Sequence, residues 1–157
     1  MRSDFIRNAL STFLFLISIL LGGLTIILLI RKIFELASDY SFLKLVEFTF
    51  LVVYTCNFFI VTVKLILLLE SSGSTPFIFD NVKRLKTMGY CLLFNSIYDC
   101  VMDFRLNLDA NIRIFGTENG GISGPMIVCL LAALMCFVMA EIFDKAIKIK
   151  EEQDLTI

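Results

Sequence analysis

The 157-residue sequence contains no histidine, only 18% charged residues and a net charge of −1. Each shortage closes a class of function. Without histidine, and with no cysteine pair at metal-ligand spacing, a zinc site has no ligand set. The Ser–His and His–metal constellations of hydrolytic enzymes are missing for the same reason, so no enzyme activity, metal or other cofactor is expected. A chain this close to neutral has no basic footprint for nucleic acid. Low charge accompanies a hydrophobic fraction of 58% and a mean hydropathy of +0.86. A soluble domain is about 45–50% apolar and about 25% charged, and a disordered chain needs low hydrophobicity with high net charge. What remains is one membrane domain.

A hydrocarbon layer about 30 Å thick takes about 20 apolar residues of helix. Residues 8–30 hold no charge, with Arg2 and Arg7 before them and Arg31 and Lys32 after them. This run exceeds the apolar core of a signal peptide and lacks a small-residue cleavage site before Arg31, so it reads as an uncleaved anchor. A second span covers about 45–69, interrupted by Lys64 and closed by Glu70 and Ser71-Ser72-Gly73-Ser74. A further uncharged run, 119–140, opens near Gly124-Pro125, where proline costs a helix no hydrogen bond. Between these, Thr87–Tyr98 is uncharged, but Asp99 and Asp103 follow. A span over about 87–106 is expected there, because a lone short apolar stretch has no other surface to cover.

The expected architecture is an all-α, four-helix membrane bundle, a single domain over residues 1–157. Its spans lie at about 9–30, 45–69, 87–106 and 120–141, and a helical tail occupies 142–157. With both termini in the cytoplasm, the inner side carries Arg2, Arg7, Lys83, Arg84, Lys86, Lys145, Lys148 and Lys150, against Arg31, Lys32, Lys44, Arg105 and Arg113 outside. That bias has the sign of the positive-inside rule.

The connections carry their own signals. Residues 31–44 predict a short interfacial turn or helix. Thr75 as N-cap and Pro76 at the first helical position predict that the third helix starts at Pro76. It would run two turns in the cytoplasm before Lys83, Arg84 and Lys86 meet anionic headgroups. Residues 107–123 hold oxygen-bearing side chains near glycines without the EF-hand order, and Ile112–Phe115 suits a short strand. Beyond Glu141, the sequence has good helix formers; Ile142, Ala146 and Ile149 share a stripe, and Asp144/Lys148 and Lys148/Glu152 are i,i+4 pairs. A C-terminus ending in Leu155, Thr156 and Ile157 has the form of a docking segment.

Polar residues inside the spans are the strongest functional lead, since each is costly in lipid. Asn95, Asp99 and Asp103 are spaced by four and form one stripe. Heights counted at about 1.5 Å per residue from the inner ends place Asn57 level with Asp99 and Asn95 near Thr62. The expectation is an Asn57–Asp99 hydrogen bond within a stripe facing the second helix, serving as interhelical glue or as a solvated path. Lys64 either snorkels inward or meets Glu141. Five cysteines, all in spans (Cys56, Cys91, Cys100, Cys129 and Cys136), read as packing residues. Ser18 and Gly22, widened by Gly23, form a small-xxx-small pair that suits close helix approach.

Thr75-Pro76-Phe77, then Asn81-Val82-Lys83-Arg84-Leu85-Lys86 and Gly89, combine with a terminal Glu151-Glu152-Gln153-Asp154-Leu155-Thr156-Ile157 after Glu141-Ile142-Phe143. With this combination the chain resembles the YoaS-like family of bacterial membrane proteins, a four-span domain of unknown function. The glycine often found after the family's E-x-F is replaced by Asp144-Lys145-Ala146. The resemblance implies a multi-pass protein of the bacterial cell membrane, often encoded beside a small Cro/CI-type helix-turn-helix regulator. It therefore implies a regulatory or sensor protein that holds such a regulator on its inner surface. That surface is formed by Thr75, Pro76, Phe77, Asn81, Arg84, Leu85, Glu152, Asp154, Leu155, Thr156 and Ile157. The rival readings are a small transporter or ion pathway through the polar stripe, and an immunity or stress-protection protein. Lipid is the certain partner of any of these; an oligomer is compatible with all.

Overall fold

The computed structural model describes residues 2–38, 41–73, 76–106, 113–117 and 120–154, with the backbone alone at 2–5, 103–106, 113–117, 120–121 and 154. Four helices account for nearly all of it: α1 (Arg2–Ser38), α2 (Phe42–Ser71), α3 (Phe79–Leu106) and α4 (Gly124–Asp154). Strands β1 (Arg113–Thr117) and β2 (Gly120–Ser123) form an antiparallel hairpin between α3 and α4. Thr117 lies opposite Gly120 and Phe115 opposite Ile122, with a shift of register between Arg113 and Phe115.

Three helices are long and apolar enough to cross a membrane, over Ile6–Ser38, Phe42–Ser71 and Gly124–Gln153. With 28 residues, α3 reaches about 42 Å, but it is not among those three. The helices outrun the apolar windows. α1 continues past Arg31 and Lys32 to Ser38, and α2 begins at Phe42, so most of the expected 31–44 connection is helix. A Lys32–Glu35 ion pair of 2.9 Å lies on that extension.

Neighbours in the sequence are neighbours in space: α1 packs on α2, α2 on α3 and α3 on α4. The directions alternate. At one end of the molecule the Arg7 guanidinium covers Gly73, Ser71 meets Asn81 and Phe77 meets Phe143. At the other end Ser96 of α3 reaches Met126 of α4. The start of α1 and the last turns of α4 therefore share the Phe77 end.

The core lies between α3 and α4. Val82, Leu85, Ala140 and Ile147 are buried together, and Leu68 of α2 and Phe143 pack against them. Cys129, Ala133, Ala140 and Ile147 are the buried residues of α4's apolar seam. The seven-residue spacing from Ala133 to Ala140 to Ile147 keeps these side chains on one face of α4, as in a coiled-coil seam. Alanine at two of these positions lets α3 come close. Gly89 completes the fit: a Cβ there would lie 2.8 Å from the Phe137 ring. Away from the seam, apolar side chains point outward, including Phe13 at 63% exposure, Leu20 at 74% and Val128 at 67%. Apolar surface on this scale is untenable in water and ordinary against lipid.

Several expectations change. The arrangement is not a closed four-helix bundle, since α1 lies on α2, outside the α2–α3–α4 core. α3 begins at Phe79 rather than Pro76. The Asn81 side chain donates to the Pro76 carbonyl over 2.8 Å, and its backbone N–H goes to Ile78. These bonds hold residues 76–78 as a turn before the helix. α4 starts at Gly124 instead of about 120, because residues 120–123 belong to the hairpin. α4 continues without a break to Asp154, and the stripe it turns inward carries Phe143 and Ile147. Ile142 and Ile149 are 51% and 56% exposed. No close approach occurs at Gly22 or Gly23, where nothing lies within 4 Å of an added Cβ. A groove of about 340 Å³ opens there between α1 and α2.

Candidate polar ladder between the second and third helices

The polar side chains of α2 and α3 meet in two groups. In the middle of the helices the Asn57 amide donates to Asn95 Oδ1 over 3.0 Å. The Asn95 amide donates in turn to the Tyr54 carbonyl at 3.4 Å. The Tyr54 hydroxyl donates to Asp99 Oδ2, also at 3.4 Å. Asn95 is fully buried. Aromatic rings close over this group: Tyr54 lies 5.0 Å from Tyr98 and 5.2 Å from Phe58, and Tyr98 stacks on Phe50. The rings lower the local polarity around these bonds, which strengthens them.

The second group sits at the Phe77 end. Asn81 is buried, with 1% exposure. Its amide group donates to the Pro76 carbonyl at 2.8 Å. Its Oδ1 accepts from the Ser71 hydroxyl and from Arg84 Nη1, each at 2.9 Å. The same Nη1 donates to the Leu67 carbonyl at 2.9 Å, one turn from the end of α2, where a cation complements the helix dipole. Serine, asparagine and arginine thus join the end of α2, the connecting turn and the start of α3. The turn is tied to α4 as well, since the Phe77 and Phe143 rings meet edge to face with centroids 5.4 Å apart.

These contacts define one antiparallel register, and it differs by a helical turn from the expected one. Asn57 pairs with Asn95, not with Asp99; Tyr54, a turn higher on α2, takes Asp99. Thr62 does not meet Asn95, because its hydroxyl bonds the Phe58 carbonyl of its own helix. Counting heights from the inner ends of the apolar windows, Leu69 and Thr87, produces this shift. The helices are aligned by the Asn81 clamp, which lies beyond the apolar run of α3. Lys64 does not meet Glu141, which pairs with Lys145 at 2.8 Å. Farther along α4, Lys148 donates to Asp144 Oδ2 over 2.7 Å.

Other predicted positions fall variously. Leu85 is a core residue, not a surface one. Glu152 is exposed and has a partner. Asp103 and Asp154 are helical, with side chains outside the described set. Thr75, Leu155, Thr156 and Ile157 lie outside the described residues. Sequence reasoning missed four contributors. Tyr54 passed as one aromatic among many. Ser71 passed as a loop residue. Ser123 is buried, and its Oγ accepts from the Met126 N–H at 3.4 Å, the pattern of a helix N-cap. Ser96 donates to the Met126 carbonyl at 3.0 Å. Ser123 immediately before Gly124-Pro125 is a readable cap signal; the others carry no signal without a partner helix.

The family described as "Protein of unknown function (DUF2975)" matches residues 28–157. The match covers α2, α3 and α4 in full and the last part of α1. It agrees with the resemblance in being to a family of unknown function, and it does not carry the YoaS-like name. Comparison with curated proteins and with solved structures returns no match.

Proposed function

From the premise that this chain belongs to the DUF2975 family of proteins of unknown function, we propose that it is a non-enzymatic, four-span regulatory protein of the bacterial cell membrane. Its two chain ends face the cytoplasm. The observation that carries this reading is the consolidated Phe77 end. The turn between α2 and α3 is held to α2 through Asn81, Ser71 and Arg84, and to α4 through Phe77 and Phe143. A surface assembled from three helices moves when their packing changes, and it is the natural readout of a signal received within the membrane. In this reading α3 is also a span, and Asn95 and Asp99 of its polar stripe bond to α2. The partner is a small helix-turn-helix regulator of Cro/CI type, docked on residues 75–86 and 141–157.

The test is co-purification from bacterial membranes. A tagged full-length chain is expected to retain the regulator, and a chain truncated before Asp154 is expected to release it. Equal recovery with the truncated chain overturns the docking model.

A second reading has one observation in its favour. Among the described residues Asp99 receives one hydrogen bond, a long one from Tyr54, while a carboxylate accepts up to about four. Spare acceptor capacity at mid-span is what an ion path requires. Proton or cation flux in liposomes that is lost in Asp99→Asn would support transport instead.

A further inference from the structure

We propose that the Phe77 end of the α2–α3 face binds the phosphate of an anionic phospholipid between the Arg84 guanidinium and the Lys64 ammonium. The inference goes beyond the regulatory reading and does not depend on a protein partner.

Arg84 is already fixed in place. Both of its assigned hydrogen bonds leave from Nη1, to the Leu67 carbonyl and to Asn81 Oδ1. Both acceptors are neutral. A guanidinium has five N–H donors, so Nε and both hydrogens of Nη2 have no acceptor among the described residues. An arginine immobilised through one nitrogen presents the others as a rigid fork. That fork matches two phosphate oxygens, and little side-chain entropy remains to be lost on binding.

Lys64 lies on α2 one turn before Leu67, and therefore about 4.5 Å along the axis from the carbonyl that Arg84 holds. It is half-buried and makes no ion pair among the described residues. The acids at this end do not compensate either cation. Glu141 and Asp144 are taken by Lys145 and Lys148, and Asp80 lies by Lys83. Glu70 is exposed and pairs with neither. Two cations with no acid partner among the described residues, at the end of an apolar run, mark the depth at which lipid phosphates lie. A long lysine stem reaches that depth from one turn inside. Charge complementarity thus commits the occupant to an anionic lipid.

Native mass spectrometry of the full-length chain tests this. Phosphatidylglycerol and phosphatidylcholine are titrated in separate arms, and inorganic phosphate is the competitor. The wild-type chain is expected to prefer phosphatidylglycerol. Lys64→Met should reduce that preference about fivefold, the contribution of one cation near a charged lipid surface. Lys64→Arg should restore it, and Lys148→Met should leave it unchanged. Equal affinity of the wild type for both lipids overturns the proposal, as does full preference in Lys64→Met. Displacement of the lipid by equimolar inorganic phosphate would also overturn it, because the site would then take a free anion.

Discussion

The register of α2 against α3 makes a quantitative prediction through Asn57. Its amide bonds Asn95 at 3.0 Å, and Asn95, with 0% exposure, passes the chain on to the Tyr54 carbonyl. Side-chain hydrogen bonds between membrane helices average about 0.6 kcal/mol and reach about 1.7 kcal/mol. Asn95→Leu breaks two such bonds and leaves the Asn57 amide facing an apolar neighbour, so its expected cost is about 1–2 kcal/mol. Asn57→Leu breaks one bond and should cost about 1 kcal/mol. In the double variant no polar group is stranded on either side. The expected coupling is therefore at least about 0.5 kcal/mol, above the scatter of additive pairs. Asn57 and Asp99 do not touch and are linked only through Asn95 and Tyr54, so their variants should couple less strongly than those of Asn57 and Asn95. Reversible unfolding in mixed micelles at increasing sodium dodecyl sulfate measures all six chains: wild type, three singles and two doubles. Coupling of Asn57 to Asp99, with none to Asn95, would refute the register and every contact that depends on it.

Other substitutions probe the packing. Gly89→Val places a branched side chain where even a Cβ would be 2.8 Å from Phe137, and should destabilise by about 1–3 kcal/mol in the same assay; Phe137→Ala in the same chain should recover part of that. Phe143→Ala removes the ring that Phe77 and the α3–α4 core rest on. It should speed proteolysis at residues 76–78 several-fold, and an unchanged rate would show that the turn does not depend on α4. Gly22→Leu should be neutral or slightly stabilising, because the groove of about 340 Å³ beside it is open and leucine is the better helix former by nearly 1 kcal/mol; a loss above 1 kcal/mol would show that α1 approaches α2 more closely. Reporter fusions at the two ends of the chain should give the same compartment signal, and opposite signals would remove one span.

The apolar windows located α1, α2 and α4, because each buries little and faces lipid around most of its circumference. Hydropathy measures that property directly. They did not locate the helix ends. Arg31, Lys32 and Glu35 stop an apolar count, but their backbone remains helical as far as Ser38. The heptad Ala133, Ala140 and Ile147 was available in the sequence, yet the stripe of Ile142, Ala146 and Ile149 has the stronger apolar contrast and drew the reading. In lipid that contrast misleads. Cys129, Ala133 and Ala140, all small, sit at the helix contact in the upper part of α4, while Phe143 and Ile147 fill it in the tail. Gly89 is buried against Phe137, while at Gly22, in a more familiar motif, an added Cβ meets no side chain or other helix within 4 Å among the described residues.

The ladder was half legible for a related reason. Its members could be named, since Asn57, Asn95 and Asp99 are costly in lipid wherever they lie. Their pairing could not, because an antiparallel pair of helices can slide by one turn and still oppose polar to polar. What removes that freedom is a contact outside the spans. Asn81 accepts from Ser71 and Arg84 and donates to Pro76, and this sets how far α3 rises against α2. α3 packs against α2 on one side and α4 on the other, with Asn81, Asn95 and Ser96 all buried, and their bonds run to those neighbours. The low hydropathy of α3 comes from these bonded polar residues together with Asp80, Lys83, Arg84 and Lys86 in its first turns, while Tyr90, Ile97 and Val101 present exposed apolar surface of the same kind as the other helices.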